Sequence, residues 1–263
     1  MNDAALRVLS LNIACPSSGR AERLLSWLGE RDEQVFVLTE TGSGSGSALM
    51  MDRFRDAGWA VQAPLPRDGE RGVMMCSRLA LRQRGEPIIE FLSERVEVAS
   101  IGGVEIIGVY APSRDASPAR IARKRRFLAE LLTTVGEGPR TRRLLIGDLN
   151  IVERSQRREG GFFDWEYDLY DELPRLGWLD AYRVHHPHRV EQSWVGTDGQ
   201  GFRFDHAFIT ADLLTSTQRC EYVHEPRETE LTDHSAMAIE ITGASGMELD
   251  VSPSLEAGPP SLF

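Results

Sequence analysis

The chain opens with alternation. Leu6 to Ala14, LRVLSLNIA, alternates apolar and polar residues over most of its length and predicts a strand. Ala21 to Arg31 carries Leu24, Leu25, Trp27 and Leu28 at helical spacing. Gln34 to Thr41, QVFVLTET, is a near-continuous apolar run, as in a strand buried on both faces. GSGSGS, Gly42 to Ser47, reads as a flexible loop within one domain, and Ser47 to Trp59 as a helix stopped at Gly58. Strands are expected in GVMMCS, LRQRGEPI, RVEVASIG and VEIIGVYAP, with Gly102 and Gly103 turning between the last two. Ser117 as N-cap and Pro118 at the first helical position open a helix over SPARIARKRRFLAELLTTV. RRLLIGDLNIV is a buried strand ending in a polar loop, and DWEYDLYDELPRLGW a helix broken near Pro174. SWVGTDGQGFRFDHAFIT holds a hairpin or loop and then a strand, and SAMAIEIT closes as a strand. Strands dominate, so a two-sheet core with helices outside is expected, as a single domain over residues 1–242. The last 21 residues, 243–263, hold ten Gly, Pro or Ser and are expected to be disordered.

Composition narrows the partners. No run of about 18 apolar residues exists, so no membrane helix is expected. MNDAALRVLSLNIA has neither a basic start nor a long apolar stretch, so no signal peptide is expected. Cys15, Cys76 and Cys220 are far apart and form no zinc or disulfide pattern, which points to inert thiols in the cytoplasm. A net charge of −10 excludes a wholly basic nucleic-acid binder but not a local basic face. Such a block exists. Arg114 to Arg158 holds 12 Lys and Arg against 5 Asp and Glu, a net of +7, leaving −17 for the rest. It reads equally as a face for a polyanion and as a solvated helix face. No apolar surface stripe argues for a partner subunit, so a monomer is expected.

The chemistry gathers where apolar strands stop. Asn12 in SLNIA, Glu40 in VLTET, Asp148 and Asn150 in IGDLN, Asp205 and His206 in FRFDH, and Asp233 and His234 in LTDHS all sit at such points. One alone is a turn former. Five such events, four with a carboxylate, point to a site fixed by sheet ends, and its oxygen-rich donors suit Mg²⁺ or Mn²⁺ better than Zn²⁺. His185, His186 and His188 in VHHPH read instead as a loop, because Pro187 breaks helical ligand spacing.

LNIA, LTET, GVYAP, IGDLNI, SWVG with GFRFDHAFI, and TDHSA occur in the order seen in the endonuclease/exonuclease/phosphatase superfamily of Mg²⁺-dependent phosphoesterases, and the chain resembles that family from Leu6 to Thr242. LGWLDAYRVHHPHRVEQSW further resembles its exonuclease III branch, which includes abasic-site endonucleases. The resemblance implies a four-layer α/β sandwich, with two mainly antiparallel sheets packed together and helices outside. It implies Glu40 as the main metal carboxylate with Asn12 beside it. Asp148 would activate water, Asn150, Tyr110 and His234 would donate to the phosphate, Asp205 would share the metal and phosphate region, and Asp233 would partner His234 or a second metal. Trp194 and Phe202 are expected to wedge into or stack on DNA, and Arg114 and Arg203 to bind phosphate, with Arg154, Arg157 and Arg158 tracking the strand. The expected activity is cleavage of DNA at abasic sites, removal of nucleotides or phosphates from 3′ ends, or both; the alternative substrate is a small phosphoester or RNA. The chain departs from the family at His206, where a tyrosine is usual, at Thr39, where Gln is frequent, and after Glu40, where abasic endonucleases often carry a lysine and this chain has Thr41, Gly42 and the GSGSGS loop.

Overall fold

A computed structural model describes residues 5–64, 66–67, 69–114, 117–157, 161–244, 246–252 and 254–256. The strands are β1 (Ala5–Asn12), β2 (Val35–Thr41), β3 (Ala60–Gln62), β4 (Gly72–Ser77), β5 (Leu81–Gln83), β6 (Val96–Ile101), β7 (Val104–Tyr110), β8 (Arg143–Asp148), β9 (Trp178–Asp180), β10 (Trp194–Val195), β11 (Gly201–Phe202), β12 (Asp205–Thr210), β13 (Thr217–Val223) and β14 (Ala236–Thr242). The helices are α1 (Ser18–Gly29), α2 (Ser45–Asp56), α3 (Pro118–Glu137), α4 (Asp164–Arg175), α5 (Ala181–His185) and α6 (Glu225–Glu228).

Two six-stranded sheets form, in the orders β13-β14-β1-β2-β4-β3 and β5-β6-β7-β8-β12-β9, with β10 and β11 as a separate hairpin. The pairs β1–β2 and β7–β8 are parallel and the other ladders antiparallel. Because side chains alternate along a strand, each sheet has two apolar faces to cover. Leu6, Val8, Val37, Ile106, Ile146, Ile209 and Ile239 pack between the sheets. Leu9, Leu11, Phe36 and Leu38, on the opposite face of the first sheet, pack on Leu24, Leu28, Met50 and Phe54 of α1 and α2. Ile107, Leu145 and Phe208, on the outer face of the second, pack on Phe127, Leu131 and Leu173 of α3 and α4. The result is the four-layer α/β sandwich.

Three stretches differ from expectation. GSGSGS is no loose loop throughout: α2 starts at Ser45, and a Cβ on Gly46 would stand 2.0 Å from Pro16 O, so only glycine lets the helix seat there. LRQRGEPI pairs only over Leu81–Gln83 at a sheet edge, because the glycine and proline beyond do not sustain a ladder. The segment after Thr242 was expected to be disordered, yet its described residues run along the body. Leu255 is buried against the α1–α2 layer, Ser252 N donates to Ala57 O, and Leu249 N donates to Arg78 O. Apolar residues within a Gly- and Ser-rich segment are enough to dock it. Residues 257–263 lie outside the described residues.

Candidate active site

Alternation carries the site residues to one place. Asn12 follows Val8 and Ser10 on the face of β1 turned towards the other sheet; Asp148 follows Leu144 and Ile146 on β8; Tyr110 follows Ile106 on β7; Asp205 precedes Ala207 and Ile209 on β12. At the rim the interleaved apolar layer gives way to polar side chains. Register brings them side by side, since Asp148 is the Cα partner of both Tyr110 and Asp205. The GDLN turn aims them. Gly147 has φ of 145°, and a Cβ there would lie 2.0 Å from Val109 O, so no other residue lets β7 and β8 stay paired beside Asp148.

Asn12 Nδ2 donates to Asp148 Oδ2 at 2.9 Å. Asn150, in the left-handed region, donates its backbone N–H to Asp148 Oδ1 at 2.9 Å and its Nδ2 to Asp148 Oδ2 at 3.1 Å and to Ala111 O at 2.9 Å. His234 Nδ1 is 2.8 Å from Asp205 Oδ2. Ser193 Oγ accepts from the Phe204 and Asp205 N–H groups, and Tyr222 donates its hydroxyl to Asp205 O, so Asp205 is held by its backbone. Asn12, Tyr110, Asp148, Asn150 and His234 floor a cleft of about 500 Å³, walled by Phe162, Trp194, Phe202 and Phe204 and edged by Glu40, Arg114, Lys124 and Asp233, with Asp205 behind His234. A second cleft, between the β3 and β5 edges, holds none of the expected residues.

Charge is distributed unevenly over this floor. Burial first, and then the Asp205 charge, pushes Asp148 up to about 7, against the pull of His234, Asn12 and Asn150. Burial disfavours a charged His234, but Asp205, Asp148 and Asp233 outweigh it and raise the imidazole to about 9. Burial, with the charges of Glu40 and Asp148, holds the Tyr110 phenol well above its ordinary value and therefore protonated. Among the described residues, Asp148, Asp205 and His234 bring ligand atoms within 4.8 Å of one another. Asp205 Oδ1 is buried with no hydrogen-bond donor, which fits a cation there.

The expected ligands Glu40 and Asp233 line the same cleft but stand outside that cluster. Glu40 Oε1 lies 3.8 Å from Arg71 Nε, so an arginine from the β3–β4 connection brings a cation beside Glu40. Asp233 Oδ2 accepts from Trp194 Nε1 at 2.8 Å and orients that wall. Asn12 Oδ1 already accepts from Ala14 N, and Asn150 Nδ2 is committed to Asp148 and Ala111; both amides buttress Asp148.

Two expected substrate arginines are otherwise engaged. Arg203 is 0 % exposed; its guanidinium binds Glu153, Asp180 and Tyr170, so it is packed in the core and does not line the cleft. Phe202 and Phe204 face the cleft and alternation turns Arg203 away from it. His206 is buried too, at 3.0 Å from Ile151 O. Arg114 reaches the cleft, but its Nε and Nη2 donate to buried Glu166 at 2.8 and 2.5 Å. Much of the basic block is likewise paired internally: Arg123 with Glu70, Lys124 with Glu166, Arg143 with Glu105, Arg154 with Asp168 and Asp171, Arg157 with Asp164. Arg158 lies outside the described residues.

Residues not anticipated complete the site. Lys124 Nζ donates to Asn150 O at 2.5 Å and to Glu166 Oε1 at 2.6 Å, tying α3 to the GDLN turn. Arg95 stacks 4.7 Å from the Tyr110 ring centre and is held by Glu70, which Arg123 also grips. Phe162 and Phe204 join the wall. Lys124 had one signal in the sequence, being the sole lysine; the others are ordinary residues of helices, strands and loops until the fold brings them together.

The chain belongs to the Endonuclease/Exonuclease/phosphatase family, which it matches over residues 9–234. No curated protein sequence matches it significantly. Among solved structures, an AP endonuclease from Archaeoglobus fulgidus is similar at a TM-score of 0.74 and 20% identity, covering 89% of this chain and 98% of the other. A 3′ phosphatase from Neisseria, bound to a product DNA hairpin, is similar at 0.74 and 19%, covering 90% and 99%. A 3′-5′ exonuclease from Neisseria meningitidis is similar at 0.74 and 21%, with the same coverage. Among the described residues no helix is long and apolar enough to cross a membrane.

Proposed function

We propose that this protein is a Mg²⁺-dependent phosphodiesterase that cleaves DNA at abasic sites, removes nucleotides or phosphates from 3′ ends, or both. The observation that carries the reading is the buried set Asp148, Asp205 and His234, of which Asp148 and His234 join Asn12, Asn150 and Tyr110 at the floor of an aromatic-walled cleft. DNA as the partner rests on likeness to an AP endonuclease and to a 3′ phosphatase bound to DNA. Three free cysteines, two of them buried, suit a cytoplasmic protein, acting as a monomer.

Asp205, whose Oδ1 has no donor, would hold the cation with Glu40 at the same cleft; hard carboxylate oxygens suit Mg²⁺, and Mn²⁺ can replace it. When bound, the cation neutralises charge on the phosphate oxygens. Asp148, raised towards neutrality and oriented by two amides, takes the proton of the attacking water. His234, kept protonated by Asp205, and the Tyr110 phenol donate hydrogen bonds to the phosphate. Trp194, Phe202 and Phe204 pack around the sugar or base beside it.

The test is one panel with Mg²⁺: abasic duplex, nicked duplex, single-stranded RNA and a simple phosphomonoester, each with an EDTA control. Incision of the abasic duplex or trimming of the nick, lost in EDTA and in Asp148→Asn, is expected. Turnover of the small ester with no cleavage of any DNA overturns the DNA reading.

A further inference from the structure

Beside the cleft lies a second aromatic surface. Phe162 lines the cleft, edge-on to Phe202 at 5.1 Å. The next residue, Phe163, is 44 % exposed, and its ring lies 20° from parallel to Trp165 at 6.4 Å. Arg114 stacks 4.5 Å from the centre of Phe163, and Arg125 lies 6.0 Å from that of Trp165. Arg125 makes no ion pair among the described residues.

Helix α4 does not call for a phenylalanine there. Phe163 occupies the N-cap position, which favours Ser, Thr, Asp or Asn because their side chains accept from the first turn. A phenyl ring accepts nothing. Buried Glu166 instead reaches back to accept from Phe163 N at 2.9 Å, and it also accepts from Arg114 and Lys124. Burial would raise the Glu166 carboxyl, but Arg114 and Lys124 hold it below its ordinary value, so it stays ionised. One carboxylate thus fixes the exposed ring, the guanidinium stacked on it and, through Lys124, the turn that carries Asn150.

We infer that Phe163, Trp165, Arg114 and Arg125 form a preset platform on which an unpaired base of the bound strand stacks as that strand leaves the cleft. This rests on the DNA reading above and adds a preference to it: substrates with frayed or single-stranded nucleotides beside the reacting phosphate. Stacking on aromatic rings accepts any base, and an adjacent unpaired guanidinium attracts the phosphate that follows. Phe162, the residue before Phe163, lines the cleft, so the platform begins one residue from the cleft wall. Asp164, the acidic neighbour, is neutralised by Arg157 at 2.8 Å.

Abasic duplexes whose flank is fully paired, or carries two unpaired nucleotides with 2-aminopurine among them, are titrated with the whole chain in EDTA. Binding is followed by fluorescence anisotropy and stacking by 2-aminopurine emission. The native chain is expected to quench the emission and to prefer the unpaired flank. Phe163→Ser should lose the quench and lower that preference by about fivefold or more, while Phe163→Trp keeps both and shows that the helix start still folds. Persistent quenching and an unchanged preference in Phe163→Ser overturn the platform. If the native chain binds neither duplex, the DNA reading fails as well; if it binds and, with Mg²⁺, cleaves, but the preference ignores Phe163, the platform alone falls.

Discussion

His234 and Asp148 sit in one environment, and it shifts both upward. In the metal-free protein the folded values are about 9 and about 7, against ordinary values of 6.5 and 3.8. The folded state therefore binds more protons than the unfolded one between each pair of values, and these groups make stability fall as pH rises. Asp148 acts from about 4 to 7 and His234 from about 6.5 to 9, where the His234–Asp205 pair is finally lost. Thermal melts of the metal-free chain should decline over that range, and Mg²⁺ should restore more stability at high pH than at low. In an NMR titration His234 should stay protonated past pH 8, and Asp205→Asn should bring it down by more than one unit; an unmoved value would remove Asp205 as its counter-ion. The residues that do this were legible in the sequence because each ends an apolar run, where a carboxylate or imidazole has no packing use. Arg203 misled for a related reason. In FRF either parity is apolar-compatible, and only the sheet shows that the two rings, not the arginine, face the cleft. Arg71 at Glu40 was illegible, since nothing local links the two positions.

Elements hold these residues at fixed angles. Arg95 faces Tyr110 from just before β6; Glu70 of the β3–β4 connection holds it and is itself gripped by Arg123 of α3. If its work is to position Tyr110, Arg95→Met should lower kcat about tenfold in the native background and less than twofold after Tyr110→Phe, a coupling of the size cation–π contacts reach. Equal losses in both backgrounds would make Arg95 merely structural. Gly147→Ala meets both a positive φ and the Val109 carbonyl, so it should cost about 2–4 kcal/mol in chemical denaturation and disturb the Asp148 turn at once. A loss below 1 kcal/mol would show that β7 and β8 yield there. Long elements were well marked by periodicity: α3 starts at Pro118 with Ser117 accepting from Arg120 N, as its cap residues predict. Short ones were not. β9, β10 and β11 are two or three residues long, too short for a period to show, and the start of α2 in GSGSGS is set by tertiary contact with Pro16 against the local glycine preference.

Over the whole molecule, half of the twelve basic residues in the block that stood out in the sequence are taken up by internal pairs, a fact of three-dimensional proximity that a running charge sum does not contain. DNA affinity should therefore depend on salt only modestly, with a log–log slope of about −2 to −4 rather than that of a large basic face; a slope near −8 would mean that these pairs open on DNA. The layer plan was readable from the run of strands, but which layer each residue faces was not. Its clearest consequence lies in two hydrogen bonds. Asn12 to Asp148 and His234 to Asp205 each join one sheet to the other across the rim, while Val37, Ile106, Ile146 and Ile239 set the spacing beneath them. The reaction centre is thus a calliper whose jaws are the two sheets and whose gap is gauged by aliphatic volume. Shaving that volume far from the jaws, as in Ile239→Ala, should slow turnover beyond what the loss of about 2–5 kcal/mol in stability explains, and refilling it from the facing sheet should reset the rate.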